Sequence, residues 1–130
     1  MTTTPSGIKL HRKSGVLEIS FAKQAFELSS EYLRFYSPSA EVRGHGAGQE
    51  VLQFGKAQVL ISKIEPVGNY AIKITFDDQH DSGVYSWEYL RYLGENYESL
   101  WPEYLEKLKA ANKSREPDTQ VIQLIDPKTL

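Results

Sequence analysis

The sequence predicts an α+β fold, a small and mainly antiparallel sheet with packed helices, in a single domain. Three observations point there. Short apolar runs come in pairs around turn residues, as hairpin strands do. Helix signals cluster later in the chain, behind Ser86 and around Pro102. The length of 130 residues fits one domain and one core.

The first pair of strands is residues 8–10 and 16–19, joined by His11-Arg12-Lys13-Ser14-Gly15, with Gly15 free to take a positive φ. Residues 21–35 read as mixed, with a short helix over 25–32 and Phe26, Leu28, Leu33 and Phe35 as candidate core residues. Ser37-Pro38-Ser39 breaks it, because the residue before proline avoids the helical region. Residues 43–48 form a loop that contains Gly44, Gly46 and Gly48.

A second hairpin is expected from residues 57–64 and 70–76, about the turn Glu65-Pro66-Val67-Gly68-Asn69. Ile72, Ile74 and Phe76 share one face at strand period. The polar turn 77–83 leads to a short strand at Val84 and Tyr85. Ser86 then caps a helix, Glu88 suits its first turn, and Trp87, Leu90 and Leu93 form its core stripe up to Gly94. A second helix starts near Pro102 and buries Tyr104, Leu105 and Leu108. The domain spans residues 8–111, between a frayed start (1–7) and a mobile tail (112–130) in which residues 121–125 are apolar enough to dock as a strand.

Composition narrows the function. A net charge of −2 and a pI near 5.9 argue against nucleic-acid binding, which needs a basic face. The absence of cysteine excludes disulfides and thiol nucleophiles and fits a cytoplasmic protein. No apolar run approaches the ~20 residues that span a bilayer, so no membrane partner is expected. His80, Asp81 and Ser82 have the residue types of a hydrolase triad, but adjacent residues cannot aim three side chains in a relay. Gly44-His45-Gly46-Ala47-Gly48 lacks the spacing of a phosphate loop. No enzyme activity and no cofactor are expected.

Two readings remain. The first is a partner-binding surface made by Arg43, Gly44, His45, Gly46 and His80 together with Tyr89 and Tyr92. Nearly half of the aromatic residues (Trp 2, Tyr 8, Phe 5) lie between Tyr85 and Tyr104, and one short helix cannot bury Trp87, Tyr89 and Tyr92 on one face. The alternative is a weak metal or small-ligand site from Glu41, His45, His80 and Asp81, whose spacing does not require one.

Four segments carry a family resemblance: residues 37–46, 64–70, 76–83 and 85–90. Together they resemble the gamma-butyrobetaine-hydroxylase-like N-terminal domain family, over about residues 8–108, in its short bacterial stand-alone form of unknown function. The resemblance implies an α+β fold. In the carnitine-biosynthesis hydroxylases a similar domain precedes an iron- and 2-oxoglutarate-dependent jelly roll. A related domain is fused to P-loop ATPases of iron–sulfur cluster assembly. This chain is expected to lack both catalytic partners, and so to be an accessory or protein-interaction domain of iron–sulfur or oxygenase systems. The hydroxylase domain holds zinc with three cysteines and a histidine. Here Ser37, Ser39 and Val42 stand at the cysteine positions and only His80 remains, so no zinc is expected.

Overall fold

The computed structural model describes residues 4–39, 52–78 and 83–117. Two antiparallel sheets of three strands each form there, rather than one small sheet. The first contains β1 (Gly7–His11), β2 (Val16–Phe21) and β3 (Gln24–Ser29), in that order. The second contains β4 (Ile61–Val67), β5 (Ala71–Phe76) and β6 (Val84–Ser86). Helices α1 (Ser30–Phe35), α2 (Trp87–Glu95) and α3 (Tyr97–Ala110) complete the described elements.

The first hairpin follows its turn signal. Gly15 has φ +71°, and a Cβ there would meet Leu60 Cδ2 at 2.6 Å. β2 alternates, with Leu17, Ile19 and Phe21 buried. The stretch expected to be helical over 25–32 is instead strand β3, followed by α1. Gln, Ala, Glu and Leu favour helix in isolation, but each residue of β3 pairs with β2, and the ladder outweighs a weak local preference. Ser29 ends the strand and starts the helix by accepting the Tyr32 N–H at 3.1 Å. Leu28, Leu33 and Phe35 are buried as expected, whereas Phe26 is half-buried.

The second hairpin is shifted along the chain. β4 starts later than expected and runs through Glu65, Pro66 and Val67. Proline is tolerated because β4 is an edge strand, where a missing N–H need not break a ladder. The turn is only Gly68 to Tyr70, with Gly68 at φ +54°. Ile72, Ile74 and Phe76 are buried together.

Ser86 caps α2 by accepting the Tyr89 N–H at 3.1 Å, and Trp87, Leu90 and Leu93 are its buried residues. Gly94 does not end this helix, which continues to Glu95 and the Asn96 cap. Its role is close packing: a Cβ on Gly94 would lie 2.5 Å from the Phe26 ring. α3 begins at Tyr97, five residues before Pro102, which lies inside it. The early start lets Leu100 reach the core; Tyr104 and Leu108 are buried, but Leu105 is exposed. Residues assigned to the termini also join the domain. Ser6 N–H donates to the Ser20 carbonyl, and Gly55 and Ala57 N–H groups donate to the carbonyls of Ser114 and Arg115. Residues 121–125 lie outside the described residues.

Trp87 is buried beside Leu90 and Leu93, and its indole N–H donates to the Asn69 carbonyl at 2.8 Å. Trp87→Ala is expected to lower the unfolding free energy by about 3–5 kcal/mol, read by urea denaturation; a loss under about 1 kcal/mol would place the ring in a surface role.

Candidate functional site

Among the described residues, buried polar side-chain atoms are hydrogen-bonded, with Arg34 Nη1 the exception. Glu31 is buried on α1, and its carboxylate accepts from the Tyr104 hydroxyl at 2.6 Å. Arg115 closes on the same carboxylate with Nε and Nη2, both at 2.7 Å. Burial, and next the bond to Glu31, pushes the Tyr104 phenol well above the ordinary tyrosine pKa. Burial does the same to Tyr32, whose hydroxyl donates to the Leu93 carbonyl at 2.6 Å. The bond to Glu31 raises the Arg115 guanidinium further. Both phenols therefore stay protonated and serve as fixed donors, not as acids or bases near neutral pH. Arg34 Nε and Lys56 Nζ both reach Asp78 Oδ2, at 2.9 and 2.7 Å.

Of the residues expected to form a partner surface, only Tyr89 and Tyr92 can be placed. Arg43, Gly44, His45, Gly46 and His80 lie outside the described residues, as do Glu41 and Asp81 of the alternative metal site. Among the described residues, no group of three or more His, Asp or Glu could hold a metal ion. Ser37, at a zinc-ligand position of the resembling domain, is fully buried, and its Oγ accepts the Ser39 N–H at 3.3 Å. Pro38 packs against Gly83, where a Cβ would sit 2.5 Å from Pro38 Cδ. The serine segment and the end of the acidic turn therefore touch.

Tyr89 and Tyr92 divide their roles. The Tyr89 hydroxyl turns inward and donates to the Tyr36 carbonyl at 2.6 Å. Tyr92 stacks on it, ring centroids 6.2 Å apart, and is 48% exposed. Sequence reasoning missed Tyr97 and the half-buried Trp101 as their counterpart on α3. These rings stack at 5.8 Å, and Tyr97 stays exposed. Both rest edge-on against the buried Tyr32 ring, at 5.1 and 6.3 Å. The signal was the Tyr97/Trp101 spacing of four, which reads as one helix face only once the helix starts at Tyr97.

Tyr97 also borders an open groove of about 420 Å³ between β3 and the α2–α3 junction. Gln24 to Leu28 form one side; Gly94, Glu95, Tyr97 and Glu98 form the other. Its charged residues are all acidic: Glu27, Glu95 and Glu98. Glu95 is shared with Arg91 at 3.3 Å. Among the described residues, neither Glu27 nor Glu98 is in an ion pair.

Comparison with known proteins adds context. The family model described as gamma-butyrobetaine hydroxylase-like, N-terminal, matches residues 8–91. Two solution NMR structures are similar to this chain. One is 46% identical with a TM-score of 0.80, covering 94% of this chain and 97% of its own. The other is 52% identical with a TM-score of 0.75, covering 96% and 94%. A crystal structure of a protein of unknown function from Acidithiobacillus ferrooxidans ATCC 23270, assigned to the DUF971 family, is 33% identical with a TM-score of 0.59, covering 71% of this chain and 93% of its own. No curated protein matches. Among the described residues, no helix is long and apolar enough to cross a membrane.

Two outcomes follow for the polar interior. Arg115→Ala leaves the buried Glu31 carboxylate with the Tyr104 donor alone and is expected to cost about 1–3 kcal/mol in denaturant unfolding; Arg115→Lys recovers only part of it, because an ammonium cannot make the forked contact. Stability is also expected to fall in strong alkali. The unfolded chain releases the Tyr32 and Tyr104 protons as pH rises past about 10, while the folded chain retains them. Each such tyrosine lowers stability by about 1.4 kcal/mol per pH unit in that range, and its contribution is intact below it. Tyr32→Phe should make the decline shallower, as measured by chemical unfolding at stepped pH.

Proposed function

The chain belongs to the gamma-butyrobetaine hydroxylase-like N-terminal family, and on that premise we propose that it is a non-catalytic protein-interaction domain. The carrying observation is the aromatic face at the α2–α3 junction. Tyr92 and Tyr97 stand 48% and 41% exposed on rings that the interior holds in place. Large rings fixed in position with one side open are what partner surfaces use, since their contact area is gained with little loss of side-chain freedom. The interior supports the same reading. The buried Glu31 and Tyr104 bind each other, and Glu31 also binds the exposed Arg115, so these titratable groups are committed to structure.

The surface proposed from the sequence extends this face to Arg43, Gly44, His45, Gly46 and His80. The contact of Pro38 with Gly83 supports their proximity, because it joins the segments that lead to both. Service to iron–sulfur or oxygenase systems in the cytoplasm remains part of the proposal on family grounds.

The immobilised chain is expected to retain a discrete set of proteins from its native lysate. Tyr92→Ala should lose at least one of them while stability changes by no more than about 0.5 kcal/mol, and Arg43→Ala with His45→Ala tests the loop in the same way. If both variants melt normally and retain every protein, the interaction reading fails.

A further inference from the structure

We propose that the free edge of β3 takes up an extended, basic segment of a partner protein as a fourth strand of the first sheet; this deepens the interaction-domain reading and rests on it. The hydrogen-bond phase shows which backbone groups of β3 turn away from β2. Phe21 pairs with Gln24 across only Ala22 and Lys23. That pair must be a hydrogen-bonded one, because the other antiparallel phase would require a bond between adjacent residues. Ile19–Phe26 and Leu17–Leu28 are then bonded pairs too. The N–H and C=O groups of Ala25 and Glu27 consequently point away from β2. Among the described residues β3 is last in its sheet, and the 420 Å³ groove lies along that side, so these groups face the groove rather than another described strand. A further strand would sit about 4.8 Å away.

The other edges of the two sheets are blunted in familiar ways. β4 carries Pro66 and a register break between Ile61 and Lys63. β6 has only three residues. β1 has Lys9 at its centre. β3 has no proline, no bulge and no lysine, and it keeps regular register along its length.

Charge selects the occupant. On the outer face, Lys9 pairs with Glu18, and Glu18 with Glu27. Glu18 also has His11 Nε2 at 3.2 Å. Glu27 thus faces a like charge across the strand, which is unfavourable, and a lysine or arginine on its open side would relieve it. On the inner side, Glu95 and Glu98 flank Tyr97, and the half-buried Phe26 lines the opposite wall. An added strand with basic residues outward and an aliphatic residue toward Phe26 and Tyr97 fits both faces. A second copy pairing through its own β3 does not, because it would bring Glu27, Glu95 and Glu98 against the same acidic set.

The test is fluorescence anisotropy with a labelled short peptide in which lysine alternates with valine, and with its glutamate-for-lysine counterpart. The lysine peptide should bind and the glutamate peptide should not. Binding should weaken about tenfold, or ~1.4 kcal/mol, in Ala25→Pro. That change removes an outward N–H but none of the bonds to β2, so melting should hold. Glu27→Lys with Glu98→Lys should weaken binding as well. A lysine peptide N-methylated on alternate residues tests the strand contact on the unaltered protein: it should lose binding in the register that removes its edge-facing N–H groups. No binding of the lysine peptide, or equal binding of both peptides, overturns the proposal. So does full retention by Ala25→Pro together with full retention of both N-methylated registers, and so does self-association that Ala25→Pro abolishes. Tyr92→Ala should bind the lysine peptide normally. If the peptide fails while Tyr92-dependent capture persists, the groove assignment falls and the interaction domain stands.

Discussion

Helix α1 is buried on every side, and the rest of the molecule is arranged to satisfy it. All six residues from Ser30 to Phe35 are buried, three of them polar. A helix of one and a half turns has most of its N–H and C=O groups outside its own ladder. Each must find a partner in another element, since a buried group left unpaired costs about 1–3 kcal/mol. Ser30 joins the two sheets: its hydroxyl donates to the Gly15 carbonyl at 2.6 Å and accepts the Ile61 N–H at 3.2 Å. The Leu33 carbonyl accepts from Tyr85 beyond β5, and Tyr32 donates to α2. Glu31 binds α3 through Tyr104 and the following segment through Arg115. At the helix end, Tyr36 donates to the Leu100 carbonyl at 2.8 Å.

These contacts explain why so short a helix organises two sheets that share no hydrogen-bonded strands. Apolar packing alone would let the sheets slide, because hydrophobic burial is non-directional. Tyrosine prevents this, because its ring adds to the core while its hydroxyl fixes direction. Tyr32, Tyr36, Tyr85, Tyr89 and Tyr104 each place a ring against the core and a hydroxyl on a named acceptor. The glycines at 15, 83 and 94 serve the same assembly, by letting Leu60, Pro38 and Phe26 approach closer than a Cβ would allow.

What was legible in the sequence was local. The Gly15 turn, the Ser86 cap, the Trp87/Leu90/Leu93 stripe and the Ile72/Ile74/Phe76 face all rest on periodicity or a single turn residue. What was missed depends on distant partners. Residues 25–29 carry helix-favouring side chains, and only the ladder to β2 makes them a strand. Pro66 reads as a turn unless its strand is known to be an edge. Pro102 reads as a helix start unless Leu100 is known to be core. Arg115 reads as tail until Glu31 is seen to need it. The open groove was hidden for the same reason, since it exists only if residues 25–27 are an edge strand.

The buried network also shapes the surface. Tyr97 and Trp101 pack on Tyr32, and Tyr32 cannot rotate without breaking its bond to Leu93. Tyr92 stacks on Tyr89, which is anchored to Tyr36. Tyr92, Tyr97 and Trp101 are therefore each one contact away from a hydroxyl fixed in the interior. A partner that meets this face finds the rings already ordered, and the entropy that association would otherwise lose in ordering them has been taken up in folding. The groove along β3 shares that rigidity, because Phe26 is held against Gly94 on the same helix that carries Tyr92. The polar interior and the exposed aromatic face are thus one device: hydrogen bonds that contribute modestly to net stability fix the geometry on which recognition depends.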